Sequence, residues 1–454
     1  MHAWEGYKRH AWGHDELKPL QRSSKDWYGE SLWMTPVDAL DTLQIMGMTE
    51  EADKTRAALV ENLSFDKNIS VKNFEITIRL LGGLLSAYQM TPDKRLLALA
   101  EDLGNRLLPA FESPTGMPYM YVNLKTGQKN GARSNPAEIG TLILEFGTLA
   151  RLTGREVFYE KAKRALAALY ERRAQTGLVG EEIDVETGEW TSPTSHIGGG
   201  IDSYVEYLVK CEKLFHDAPC GEMARESLRA INRYLADAPA SGLWYGEADM
   251  RSGRRTATHY GALQAFFPAV LALSGDLERA RRLQDSGSKM WMLHQIEPEL
   301  LDYRSMSVLE PGYALRPEII ESAYYLFHYT HDPRYQEMGR SFFESIRKYC
   351  RTDSGYTVLK SVVTKEKGDL MPSYFLAETL KYLYLLFEPE ALNFDEVIFN
   401  TEAHPLRRVA SKPASVGTHV RKLQSLAGVE LHDVEMRREI EVLRDAESRM
   451  ARPQ

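Results

Sequence analysis

The sequence predicts an all-α fold, an (α/α)7 barrel with short β-hairpins at one end. Three observations carry that prediction. Apolar residues recur with helical spacing in about fourteen segments, most of them ended by Gly, Pro, Asn or Asp. The segments fall into pairs: the first is apolar on several sides and the second has a charged face, as an inner and an outer helix would. The pairs are separated by stretches of Thr, Val and Tyr broken by Gly or Asp, which read as hairpins.

In chain order, helical spacing covers 2–18, then 34–47 with 49–63. Next, 73–90 contains "FEITIRLLGGLLSAY", apolar almost all round and so inner; 92–110 contains "KRLLALAEDLGNRLL", with a charged face and so outer. The alternation continues with 138–152 ("AEIGTLILEFGTLARL") and 155–173 ("EVFYEKAKRALAALYERR"), then 200–215 and 219–237. It ends with 259–273 ("ALQAFFPAVLAL") and 275–294, 316–330 ("PEIIESAYYLFHY") and 332–350, and a last segment over 372–387. About seven pairs close such a ring, and a barrel of this size forms one domain. Hairpins are expected in "MPYMYVNLKTGQ", "GLVGEEIDVETGEW", "LWYGEADMRSGRR" and "GYTVLKSVVTKEKGD". Loops on a rigid scaffold are common carriers of function. The barrel is assigned to 1–406, and 407–454 to a linker followed by a charged C-terminal helix, "VELHDVEMRREIEVLRDAESRM". No partner for that tail is legible.

The net charge of −8 argues against nucleic acid or an anionic membrane as the main partner. No run of apolar residues is long enough to span a bilayer. The start, "MHAWEGYKRHAWGHDELKP", has no apolar leader; as written the chain reads as cytoplasmic, or as secretory with a leader missing. Cys211, Cys220 and Cys350 form no disulfide framework. Cys211 and Cys220 can pair across a helix connection, but ordinary buried thiols are the expectation. "CEKLFHDAPC" lacks a zinc spacing.

Carboxylates on apolar faces point to function, because Asp and Glu are rarely buried without a reason. Glu75, Glu138, Asp202, Glu206, Glu318, Glu321 and Glu378 all stand among apolar neighbours on predicted inner helices. Glu318 and Glu321 share a helix face, with Arg316 ahead of them as counter-charge. Singly, each acid has a structural explanation, such as a helix dipole or an arginine partner. Five helices sending acids inward point instead to sugar chemistry, a hard cation, or both. After the last helix comes "IFNTEAHPL", in which Thr401 offers a hydroxyl and a carbonyl oxygen to such a cation; a plain strand-end turn is the alternative.

The segments "AWEGYKRHAWGHDELKP", "VDALDTL", "FEITIRLLGGLLSAY", "GNRLLPAF", "IDSYVEYLVK", "LRPEIIESAYYL", "FLAETLKYLYLLF" and "FNTEAHPL" together resemble glycoside hydrolase family 47 from Ala3 to Leu406. These are the class I α-1,2-mannosidases and the degradation-enhancing mannosidase-like proteins of the endoplasmic reticulum. "GMPYMYVNLKTG" and "LQAFFPA" look closer to the second branch. The resemblance implies an (α/α)7 barrel, one Ca²⁺, and inverting hydrolysis of terminal α-1,2-linked mannose from oligosaccharides. It implies Glu138 as general acid and Glu318 as general base. It places Arg316, Glu321, Glu206 and Glu378 around the sugar and the ion, and Tyr374 under the sugar ring; Glu75, singled out as an inward acid, is expected to bind substrate with them. Thr401 matches the Ca²⁺ ligand, with Glu318, Glu378 and Glu402 holding the ion's waters.

Three positions depart from the family pattern. Gly261, in "TATHYGALQAFFPAV", falls where the family carries a catalytic aspartate, with His259 and Tyr260 as the neighbours able to compensate. Asp302 falls where a site histidine is expected, and Pro372 replaces a glutamate. The alternative function is therefore a calcium-dependent mannoside-binding or quality-control protein with weak or no hydrolysis.

Overall fold

The computed structural model describes residues 1–408. The expected linker and charged helix of the tail lie outside the described residues, apart from Arg407 and Arg408.

The architecture is the (α/α)7 barrel. Its inner helices are α2 (Met34–Ile45), α5 (Gly82–Met90), α8 (Ile143–Thr153), α10 (Asp202–Phe215), α12 (Phe267–Leu273), α14 (Glu318–Thr330) and α16 (Leu380–Phe387). Each packs on the next, and the π-helical turn Phe375–Thr379 leading into α16 packs on α2, so the ring closes. Outside them lie α3 (Thr49–Asn62), α6 (Lys94–Leu107), α9 (Val157–Glu171), α11 (Ala218–Tyr234), α13 (Leu277–His294) and α15 (Arg334–Tyr349), each against its preceding inner partner. The first helix, α1 (His2–His10), lies against the strand Gly355–Tyr356, and its Trp4 indole and Lys8 ammonium both reach Glu51 of α3. Two short helices complete the set: α4 (Asn73–Ile76), which runs through a π turn into α5, and α7 (Pro136–Gly140), just before α8.

The inner helices are buried almost all round, and the outer ones bury one stripe, as their composition requires. Sheets are small hairpins, including the three-stranded set Ser70–Lys72, Tyr121–Asn123 and Lys129–Asn130.

Three expectations are corrected. The helix over 2–18 stops at His10, because the chain turns at Gly13 and Glu16–Lys18 pairs as a strand with Ser23–Lys25. Residues 259–261 do not open a helix. They form a strand paired with Leu300–Asp302, and α12 starts only at Phe267. Cys211 and Cys220 are joined as a disulfide, because the α10–α11 turn folds the chain back and brings their Cα atoms to 5.9 Å. Cys350 is the free, buried cysteine.

Candidate active site

The barrel is plugged from one end by the antiparallel pair Val397–Phe399 and Pro405–Arg407, whose turn Asn400–His404 projects into the core. The turn is held by buried polar groups. The Asn400 carboxamide oxygen accepts the backbone N–H groups of Glu402 (2.9 Å) and His404 (2.8 Å), and its amide donates to Ile78 O and Glu145, both at 2.8 Å. His404 lies 2.7 Å from Asp41 and 3.3 Å from Asp38 of α2. Lys381 of α16 pairs with Asp41 at 2.8 Å and donates to Ala403 O at 2.6 Å. Asp41, Lys381 and His404 have no exposed side-chain surface. Burial alone would raise the Asp41 pKa, but Lys381 and His404 outweigh it and hold the group at about 2. Burial likewise opposes charge on His404, yet the two aspartates lift it to about 9, so the imidazolium is part of the plug. Gly82 permits the approach: a Cβ there would lie 2.5 Å from the Asn400 amide nitrogen.

Above this floor is a cavity of about 340 Å³. All ten residues singled out from the sequence line it: Glu75, Glu138, Glu206, Arg316, Glu318, Glu321, Tyr374, Glu378, Thr401 and Glu402. Asp202, noted as an inward acid, lines it too. Glu138 is placed by the start of α7, where the Asn135 side chain caps the Glu138 N–H at 3.0 Å and Pro136 opens the helix. Glu318 begins α14, and Arg316 just before it is clamped to Glu299 (2.8 and 3.0 Å) while lying 3.9 Å from Glu318. Tyr374 donates to Ala314 O at 2.7 Å. The π turns Thr77–Leu81 and Phe375–Thr379 carry Arg79 and Glu378; the extra residue per turn rotates the side chains that follow it.

Sequence reasoning missed several cations. Arg79 bonds Glu75 at 3.0 Å and Glu402, lies 3.7 Å from Asp38, and sits over the rings of Trp27 and Tyr374. Lys210 is bonded to Glu206 and lies 3.8 Å from Glu321. Lys72 lies 2.6 Å from Glu138. Arg79 and Lys210 follow Glu75 and Glu206 at i,i+4, a spacing legible in the sequence. Lys72 gave no such signal, because its partner is distant in the chain.

Eight carboxylates line the cavity against three cations, Lys72, Arg79 and Arg316. For six of the eight, burial is the main reason the proton is held tightly. It pushes Asp202 to about 6 and Glu138 and Glu318 to about 7, against the pull of Lys72 on Glu138 and of Arg316 on Glu318. Glu321, Glu378 and Glu402 are raised as well, by burial and, for Glu378, by the neighbouring acids next. One oxygen each of Glu138 and Glu318 is buried without a protein partner. A hard divalent cation fits this donor set, which has surplus carboxylate oxygen, free lone pairs, and the Thr401 oxygens at the floor.

Gly261 does not line the cavity. A Cβ there would stand 2.3 Å from Glu299 O, so the neighbouring strand fills the space a side chain would need. His259 bonds Glu247 at 2.9 Å, and the buried Tyr260 donates to Gln264 O at 3.1 Å; neither lines the cavity, so neither compensates there. Asp302 also lies off the cavity, bonded to Thr258 at 2.8 Å. From this side of the barrel, Leu263 and Phe266 reach the wall.

Comparisons with known proteins agree with this geometry. Alpha-mannosidase I MNS5 of Arabidopsis thaliana is 38% identical, over 90% of this chain and 76% of its own length. ER degradation-enhancing alpha-mannosidase-like protein 2 of Mus musculus is 39% identical, over 89% of this chain and 76% of its own. The solved alpha-1,2-mannosidase from Trichoderma reesei superposes with a TM-score of 0.81 at 26% identity, covering 89% of this chain and 96% of that one. Residues 1–408 match the profile of glycosyl hydrolase family 47. With the barrel, the plug and the acid-lined cavity in agreement, the chain belongs to that family, the glycoside hydrolases that include the α-1,2-mannosidases.

Proposed function

We propose that the protein is a Ca²⁺-dependent, inverting exo-α-1,2-mannosidase acting on terminal mannose of oligosaccharides. The observation that carries the reading is the convergence of the ten residues on one plugged, acid-rich cavity. A floor closed by the Asn400–His404 turn accepts a chain end and not a chain interior.

Glu138, whose proton burial holds up to about pH 7, protonates the oxygen of the departing sugar. Glu318 takes a proton from the water that attacks the opposite face of the mannose ring, so the configuration inverts; such pairs stand roughly 6.5–9.5 Å apart. Arg316 holds Glu318 on the attacking side, and Tyr374 supports the sugar ring. Thr401 would hold the ion directly, with Glu318, Glu378 and Glu402 binding its waters. When bound, the ion supplies Lewis acidity toward sugar hydroxyls and lowers the pKa of nearby carboxyls, including Glu318.

A second reading, a mannoside-binding protein with little hydrolysis, is favoured by the strand at Gly261, which stays off the cavity and contributes no carboxylate to it. One assay separates the two. The protein is incubated with α-1,2-mannobiose in Ca²⁺, in EDTA, and as Glu318→Gln. Metal-dependent mannose release abolished by the substitution supports the enzyme; saturable binding without release overturns it. Calorimetric Ca²⁺ binding unchanged in Thr401→Ala would refute the metal assignment.

The Cys211–Cys220 disulfide favours an oxidising compartment over the cytoplasm. Relatives named for the endoplasmic reticulum agree with that placement. No helix among the described residues is long and apolar enough to cross a membrane.

A further inference from the structure

Lys72 closes the strand Ser70–Lys72, one residue before α4. Its backbone is fixed by pairing with Tyr121 and by donation to the Tyr28 hydroxyl at 3.2 Å. Its side chain, about a third exposed, lines the cavity and extends to α7, which packs beside α4. There its ammonium lies 2.6 Å from Oε1 of Glu138, whose side chain is 4% exposed. Oε2 of Glu138 is buried with no protein partner. Glu138 is thus gripped through one oxygen and free at the other. The other groups acting electrostatically on it are Glu75 and Asp202, both acidic, and the phenol of Tyr28 also senses its charge.

We propose that Lys72 is the positioning residue of the general acid: its ammonium holds Oε1 of Glu138 and leaves Oε2 to carry the proton to the leaving oxygen. This rests on the assignment of Glu138 as the acid. The O–H bond at Oε2 breaks as the bond to the glycosidic oxygen forms, and the new carboxylate is stabilised by the ammonium already at Oε1. The same ammonium opposes the effect of burial, so Glu138 gives up its proton near neutrality and not far above it.

The test compares Lys72→Met, Lys72→Arg and Glu138→Gln as full chains in Ca²⁺, using the pH profile of kcat/KM and the separate kcat and KM values on α-1,2-mannobiose. Loss of the ammonium leaves Glu138 protonated to higher pH, so in Lys72→Met the basic limb moves up by about one pH unit or more. With the grip gone, kcat falls by about tenfold at the optimum while KM changes little. Lys72→Arg, which keeps the charge, restores the limb. A dead Glu138→Gln together with an unmoved limb and unchanged kcat in Lys72→Met refutes the positioning role alone. Undiminished kcat in Glu138→Gln refutes the acid assignment and the positioning role with it.

Discussion

Raising the pH of the metal-stripped protein from about 5 to about 8 should destabilise it, and calcium should reverse the loss. Glu138, Glu145 and Glu318 have side chains that are nearly or fully buried, and burial lifts each from 4.5 to about 7. The unfolded chain releases these protons from about pH 4.5 upward, whereas the folded chain holds them until about pH 7. The folded state therefore binds more protons in that window, and stability falls as pH rises through it. Such a shift is worth on the order of 3 kcal/mol for one buried carboxyl. The groups are not independent, so the combined loss is several kcal/mol, not the simple sum. For a chain of this size that is a fall in Tm of roughly 5 °C or more. His404, raised to about 9, acts in the same direction: its contribution is complete below its ordinary value and is lost as pH climbs through 9. Calcium binds carboxylates and releases their protons, so it stabilises most at the high end. The assay is a thermal melt at each pH in chelator and in Ca²⁺. A Tm in chelator that is flat or rising across the window, or a calcium effect that does not grow with pH, would refute the electrostatic reading of the cavity.

Other outcomes follow from particular contacts. Gly261→Asp should lower Tm without raising kcat, because its Cβ would be driven against Glu299 O; a more active variant would show that the strand yields. Cys220→Ser should cost about 2–3 kcal/mol in denaturant melts, the chain-entropy value for so short a loop, and reductant should have no further effect on it. Lys381→Met leaves Asp41 buried beside His404 without its lysine and should cost about 3–5 kcal/mol. Calorimetry on that variant should also show weakened Ca²⁺ binding, since Ala403 O loses its tether two residues from Thr401. Glu297 is fully buried with neither carboxyl oxygen partnered, so Glu297→Gln should leave Tm equal or higher, and a clear fall would reveal a partner for that acid.

The ring of helices was legible because local patterning encodes it. Leu80, Leu81, Leu84 and Leu85 in one helix and the charged face of "KRLLALAEDLGNRLL" in the next distinguish inside from outside without any long-range knowledge. The acids were legible for the complementary reason, since Glu318, Glu321 and Glu378 stand where solvation would not ordinarily leave a charge. Only tertiary structure decided which charges meet. Lys72 and Glu138 lie far apart in the chain and on different elements, so no periodicity links them. His404, Asp38, Asp41 and Lys381 become a buried ionic plug only after the last hairpin enters the closed ring. The glycine at 261 read as a missing side chain, whereas in the fold it is a packing surface for the carbonyl of Glu299. Helix type and burial depend on neighbours a few residues away, which the sequence displays. Ion pairs, the disulfide and proton affinity depend on distances across the barrel, which exist only once it has closed.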